Sequence, residues 1–482
     1  MTVTDALPTH TSTPAAPRMG LTSASASLAS SVVNLNLIIV NVAFTAMSRD
    51  LHSSLATIQW VATAYVLGLM TTVPLTGWAS ATFGLKRLLL AALAVFLVAS
   101  ALCGAAWSVD SLIGFRVLAG FAGGVIPPLV HAIVVRASGG MRIATVMSIL
   151  NGPALAVPVF APTLGGLLVG GLGWRWVFLI SVPLTAAALA LCIRTLPDDE
   201  PEAARPLDLA GLALLSIGLV LLVYGLSRFG HGSGGGRAWA EVGGGLALTL
   251  LFALNARRRG ERALLDLGPL ATRNFVAPAT IAALFSFMLF GSAAVLPLYF
   301  EAARGESPVA AGLLVALQGI GSVVGMIACG RLTDRYGAKL VAAVSAACIV
   351  AGTLPWLWLT PHTGYAVLLA GLVVRGAGLS AVMNAAYAVA YGTLGGAAIP
   401  NATAALNIVS RVSAAAGVAV AVVVVQSRAP DIGSGGAATA NAAAHAFSET
   451  FLLFAILAVA SLLAALMLPR SRATSGLSTE LI

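Results

Sequence analysis

Charge is what this sequence has least of. Only 9% of its 482 residues are Asp, Glu, Lys or Arg, while 59% are hydrophobic. A soluble domain carries roughly 25% charged residues, so too few are present to cover a water-facing surface. The same apolar content excludes a disordered chain. No acidic residue falls in the middle of a long apolar run; Asp50, Asp110, Asp208, Glu301 and Asp334 stand at or beyond the ends of such runs. The four cysteines (Cys103, Cys192, Cys329, Cys348) lie in apolar stretches without metal-ligand or CxxC spacing, and read as small packing residues. There is no G-x-x-x-x-G-K-[ST] loop to bind ATP. Six scattered histidines without paired carboxylates supply no catalytic cluster, so no enzyme is expected. Nothing calls for a cofactor or a metal. The net charge of +9 says less about nucleic acid, which is not expected as a partner, than about which loops hold the basic residues.

Apolar length is what the chain has in abundance. Runs long enough to span a bilayer, at ~20 residues each, occur near 21–47, 56–80, 87–108, 111–135, 143–170, 175–195, 208–227, 239–256, 275–300, 309–329, 340–359, 365–391, 398–425 and 447–468. The expected architecture is an all-α integral membrane protein of fourteen transmembrane helices. Residues 1–20, polar and rich in Thr, Ala and Pro, read as a disordered tail without a cleavable signal; 469–482 reads as a second tail. An even number of spans puts both ends on one side. Placing them in the cytoplasm puts seventeen Lys and Arg inside and six outside, with Arg116, Arg375 and Arg411 within spans, as the positive-inside rule requires.

The chain repeats itself. Gly77-Trp-Ala-Ser-Ala-Thr-Phe-Gly84-Leu-Lys86-Arg87 follows the second span, and Gly330-Arg-Leu-Thr-Asp334-Arg335-Tyr-Gly337-Ala-Lys339 follows the tenth. Arg116 in the fourth span and Arg375 in the twelfth keep nearly the same offset. Two six-helix bundles, 21–195 and 263–468, joined by two extra helices in 196–262, explain both facts; parallel repeats of this kind are a transporter architecture.

An Arg facing lipid costs at least ~2.5–3.5 kcal/mol, so Arg116 should face a bundle interior. His131, fifteen residues on, sits about 60° from it around an ideal helix and is able to titrate near neutral pH. Asn34 and Asn41, seven residues apart, share a face of the first span. Gly120-xxx-Gly124 and Gly321-xxx-Gly325 suit close helix packing. Pro153, Pro158, Pro162, Gly165 and Gly166 allow the fifth span to bend or pack closely. Asn401-Ala-Thr403 matches a glycosylation sequon at a cytoplasmic helix end and reads as chance.

These motifs resemble those of the major facilitator superfamily, in particular its fourteen-helix drug:proton antiporter branch. The loop pattern G-x-x-x-D-R-x-G-x-K is complete in the second copy. In the first, Gly77, Gly84, Lys86 and Arg87 stand, but Ala81 and Thr82 replace the Asp and Arg. Arg116-Val-Leu-Ala-Gly120 resembles R-x-x-Q-G, and Ala161-Pro162-Thr-Leu-Gly165-Gly166 resembles the antiporter motif G-P-x-L-G-G. Trp174-Arg175-Trp176-Val-Phe178 with Pro183 resembles the start of the sixth span. Pro297-Leu-Tyr299-Phe-Glu301 through Gly312 resembles the end of the ninth, with Glu301 in place of Gln. The resemblance covers roughly 28–468.

It implies a secondary transporter exporting hydrophobic or amphipathic small molecules, drugs or antibiotics, by alternating access, as a monomer in the bacterial cytoplasmic membrane. It also implies a conformational latch at Gly77, Gly84, Lys86, Arg87, Gly330, Asp334, Arg335, Gly337 and Lys339, and a coupling role for Arg116. Aligning Val40-Asn41-Val42-Ala43 with the family's first span puts Asn36 where an Asp is usual. Amides bind polar groups but carry no proton, so Asn34, Asn36 and Asn41 read as lining the substrate cavity. Proton coupling would then fall to Arg116, Glu301 or His131. Without a mid-membrane carboxylate to attract cations, neutral or anionic amphipathic substrates are expected; the alternative is an uncoupled or differently coupled transporter of a specific metabolite.

Overall fold

A computed structural model describes residues 16–137, 149–150, 157, 160–161, 164–196, 199, 206–230, 235–260, 263–265, 268, 272–359, 363–392, 399–428 and 437–468. Among these, thirteen helices are long and apolar enough to cross a membrane. The expected fourteenth, 143–170, lies largely outside the described residues, although 164–171 is helical. The first bundle holds α1 (Ala16–Ile38), α2 (Phe44–Asp50), α3 (Leu55–Thr72), α4 (Thr76–Phe83), α5 (Leu85–Gly104), α6 (Val109–Ala137), α7 (Trp176–Leu179) and α8 (Ser181–Thr195). The extra pair is α9 (Leu209–Gly230) and α10 (Gly236–Arg259). The second bundle holds α11 (Arg273–Ala302), α12 (Pro308–Tyr336), α13 (Ala338–Thr353), α14 (Tyr365–Gly392), α15 (Ile399–Arg428) and α16 (Ala437–Leu466). Helix α1 begins at Ala16, inside the stretch expected to be a tail.

The spans are broken where the backbone requires it. Pro74 has no N–H to give, and a short 3-10 stretch, Val73–Leu75, joins α3 to α4. Another 3-10 stretch, Ile39–Ala43, joins α1 to α2 within the first span. Asn34 is half-buried and donates to the Ser30 carbonyl at 3.2 Å, while Asn41 is exposed.

Inside each bundle the second and fourth helices touch backbone to backbone. A Cβ on Gly120 would stand 2.3 Å from the Tyr65 carbonyl, and one on Gly124 2.6 Å from the Leu69 carbonyl. The second bundle repeats this: a Cβ on Gly321 would lie 2.1 Å from the Val373 carbonyl, and one on Gly325 2.2 Å from that of Ala377. Glycine is therefore what sets the spacing of α3 against α6 and of α12 against α14.

The end of the molecule carrying the Lys86 and Lys339 loops is the motif face; the other is the far face. On the motif face the bundles meet, with α15 against α4 and α6. Helix α9 bridges them along one flank, lying against both α15 and α3; Ser216 donates to the Thr71 carbonyl at 3.0 Å, and Tyr224 sits 5.5 Å from Trp60. Asp208, buried, binds Arg259 at 2.8 Å and closes one end of the α9–α10 hairpin. Arg228 and Glu241, 3.2 Å apart, close the other.

Candidate functional site: two buried arginine clamps and the seam between bundles

Arg116 is fully buried in the first bundle. The glycine contact between α3 and α6 brings its Nε within 2.9 Å of the Val61 carbonyl, to which it donates. Its Nη1 donates to Asn36 Oδ1, and the guanidinium lies 4.0 Å above the Tyr65 ring. Asn36 in turn donates to Ser181 Oγ at 3.1 Å, and Tyr65 to the Val33 carbonyl at 3.1 Å. Arg116 Nη2 has no hydrogen-bond partner among the described residues. A full charge thus rests on one carbonyl, one amide oxygen and an aromatic face, with no carboxylate.

Arg375 repeats the arrangement. Also fully buried, it donates to Gln318 Oε1 at 3.1 Å and to the Met288 carbonyl at 3.2 Å, with Phe454 and Phe451 at 5.5 and 5.7 Å. Each Arg projects from the fourth helix of its bundle and is held by the first and second. The backbone acceptor and the amide acceptor have exchanged helices: Val61 (second) and Asn36 (first) in one bundle, Met288 (first) and Gln318 (second) in the other. The loop glycines repeat as well. Gly84 adopts φ +83, ψ 153 and Gly337 φ +85, ψ 150, a left-handed-side conformation that favours glycine.

This duplicated geometry has a known home. A sequence profile of the Major Facilitator Superfamily matches residues 26–418 and 281–481. The chain belongs to the major facilitator superfamily. It is 31% identical to the multidrug resistance protein B homolog of Mycobacterium tuberculosis, over 93% of this chain and 89% of that one. It is 30% identical to the tetracenomycin C resistance and export protein of Streptomyces glaucescens, over 73% and 66%. The crystal structure of the human organic anion transporter MFSD10 (TETRAN) shares the fold, with a TM-score of 0.62 at 17% identity, over 92% of this chain and all of that one.

As a superfamily member, this chain makes its tight contact between bundles through the first, incomplete loop motif. A Cβ on Gly77 would stand 2.0 Å from Asn401 Oδ1, so the side chain of α15 occupies the notch the glycine leaves in α4. Asn401 was passed over in the sequence as part of a chance sequon, and nothing local links it to Gly77. A second contact lies one level deeper. His131 of α6 faces Tyr387 and Tyr391 of α14 at 5.7 and 6.5 Å, and the two tyrosines stack at 5.6 Å. The His131 ring nitrogen Nδ1 is 2.7 Å from the Pro127 carbonyl.

Around the loops, Lys86 and Lys339 are half-buried, while Arg87 and Arg335 are exposed; Arg335 lies over Tyr336 at 5.3 Å. Gly330 is buried, and the side chain of Asp334 lies outside the described residues. Where the first motif lacks its acid, Asp199 from the stretch after α8 accepts from the Leu85 and Lys86 backbone N–H groups, the latter at 3.1 Å. It caps the N-terminus of α5, where the helix dipole favours an anion. The sequence showed Asp199 only as part of a charged linker.

Asn36 does not line a cavity; it is 1% exposed and belongs to the Arg116 clamp. Glu301 is exposed at the end of α11. Gly165 lies against the first span, where a Cβ would meet Ile39 at 3.1 Å and Val42 at 3.3 Å; Gly166 faces open space. Pro162 lies outside the described residues, as do Pro153 and Pro158. On the far face, Asp50 accepts from Trp174 Nε1 at 2.9 Å and from Arg175 at 2.8 Å, tying the first span to the start of the sixth.

Proposed function

We propose that the protein is a secondary active exporter of lipophilic small molecules, working by alternating access between its bundles. The observation that carries this is the seam. Two bundles, each clamped internally by a buried Arg, meet at the motif face through Gly77 and Asn401 and through His131 and the tyrosine pair, contacts that can part without breaking either bundle. The names of its relatives, in multidrug resistance and in tetracenomycin C resistance and export, support export as the direction. The basic residues of the loops support an orientation with the motif face and both termini in the cytoplasm of a bacterial cell. In this reading 21–195 and 263–468 are the moving units, 196–262 links them, and one copy of the chain suffices. The two loop motifs latch the cytoplasmic closure.

Protons are the proposed counter-substrate, with Arg116 and His131 the better-placed candidates and the exposed Glu301 the weaker one. Proteoliposomes with an imposed pH gradient and a panel of cationic, neutral and anionic lipophiles test this. Uptake that follows the gradient, and is lost in Arg116→Ala or His131→Asn, is the expected result. The lack of any mid-depth carboxylate among the described residues favours a second reading, transport without protons. Flux that only equilibrates substrate would establish that reading, and no flux of any compound would sink both.

A further inference from the structure

We propose that Arg411 is the charge-recognising residue of the path between the bundles, and that the preferred substrates are lipophilic organic anions, a hydrophobic body carrying one carboxylate or ionised phenol. The proposal rests on the exporter reading above and names its substrate class. Arg411 lies ten residues along α15 from Asn401. At ~1.5 Å per residue that is about 15 Å from the motif face, half of a hydrocarbon core ~30 Å thick. Helix α15 packs against α4 and α6 of the first bundle and against α11 and α16 of its own, so Arg411 stands on a helix that borders the seam. Its side chain is half-buried, with neither hydrogen bond nor ion pair among the described residues.

Three cations thus occupy the middle of the membrane. Arg116 and Arg375 are enclosed and held by neutral acceptors, so their charge is undiminished. Arg116 lies 4.0 Å over the ring of Tyr65, which is itself fully buried. Asp50, Glu241 and Glu449 are each already paired with a cation, Arg175, Arg228 and Arg428. Desolvated guanidinium seeks an acceptor, and a carboxylate supplies a bidentate one. The stacked Tyr387 and Tyr391 are buried against His131 while the bundles are closed, and their faces would open to a hydrophobic body as the bundles part. A lipophilic cation entering the same space meets only positive charge.

The test uses the full chain in phosphatidylcholine nanodiscs and three fluorescent probes that share the dansyl-phenylalanyl body: dansyl-phenylalanine (carboxylate), its primary amide (neutral) and its 2-aminoethyl amide (ammonium), with empty nanodiscs subtracted. Wild type should bind the carboxylate at least tenfold more tightly than the other two. Arg411→Gln should bring the carboxylate to the primary amide's affinity, with the primary amide changed less than twofold; Arg411→Lys should keep part of the preference. No carboxylate binding, equal affinities, a cation preference, or a carboxylate preference surviving in Arg411→Gln would overturn the proposal. If Arg411→Gln loses all three probes, Arg411→Lys decides, since loss of charge preference there overturns it and retention supports it. Counterflow in proteoliposomes separates the two readings. Flux without Arg411-dependent selectivity defeats the anion site and leaves the exporter standing; Arg411-dependent binding without flux does the reverse.

Discussion

Asn36 and Gln318 each hold a buried guanidinium that has few other acceptors, so each amide oxygen matters more than a neutral partner ordinarily would. Hydrogen bonds to charged groups contribute about 1.5–3 kcal/mol. Asn36→Ala should therefore destabilise the protein by about that amount, read as a lowered unfolding temperature in detergent, while Asn41→Ala, exposed, should change it by less than ~0.5 kcal/mol. If both variants melt alike, the clamp is not structural. The interior position of Arg116 was legible in the sequence from the cost of a charge in lipid alone. Its partner was not. Asn36 sits eighty positions away on another helix, and alignment on Val40-Asn41-Val42-Ala43 marked the position without saying which way the amide turns.

At the scale of elements, the glycines separate into two kinds with opposite expected behaviour. Gly120 faces the Tyr65 carbonyl, which cannot yield. Gly120→Ala should overpack the α3–α6 contact at about 1–3 kcal/mol, visible in thermal unfolding. Gly77 faces the tip of Asn401, a side chain able to swing away. Gly77→Ala should leave the unfolding temperature nearly unchanged and instead loosen the closure at the motif face, raising labelling by a water-soluble maleimide of a Cys placed at Ser410, a residue of α15 whose hydroxyl is buried. Unaltered labelling would show that the notch does not hold the bundles together. The helices themselves were readable from apolar length: the expected run 365–391 is found at Tyr365–Tyr391, and 175–195 at Trp176–Thr195. The Gly-xxx-Gly pairs were also readable as close packing. The break at Ile39–Ala43 was not, since it carries no proline to mark it, and neither was the cap by Asp199, which comes from far along the chain.

For the whole molecule, Gly77→Cys with Asn401→Cys, in a background lacking Cys103, Cys192, Cys329 and Cys348, should form a disulfide on oxidation that stops transport and releases it on reduction; transport that continues in the crosslinked protein would refute a closure that must open. The α9–α10 hairpin was expected as a linker, but the sequence could not show that α9 lies along both α3 and α15, since a uniformly apolar helix carries no sign of what it touches. The glycine contacts of the two bundles have a mechanical corollary. Backbone meeting backbone leaves no compressible layer of side chains between α3 and α6 or between α12 and α14, so neither bundle can absorb a displacement by internal creep. Each behaves as a stiff lever, and a shift at the Asn401 notch reappears undiminished at the opposite end. Spin labels on one bundle should then keep a constant separation through the cycle, and labels on different bundles should report essentially one coordinate.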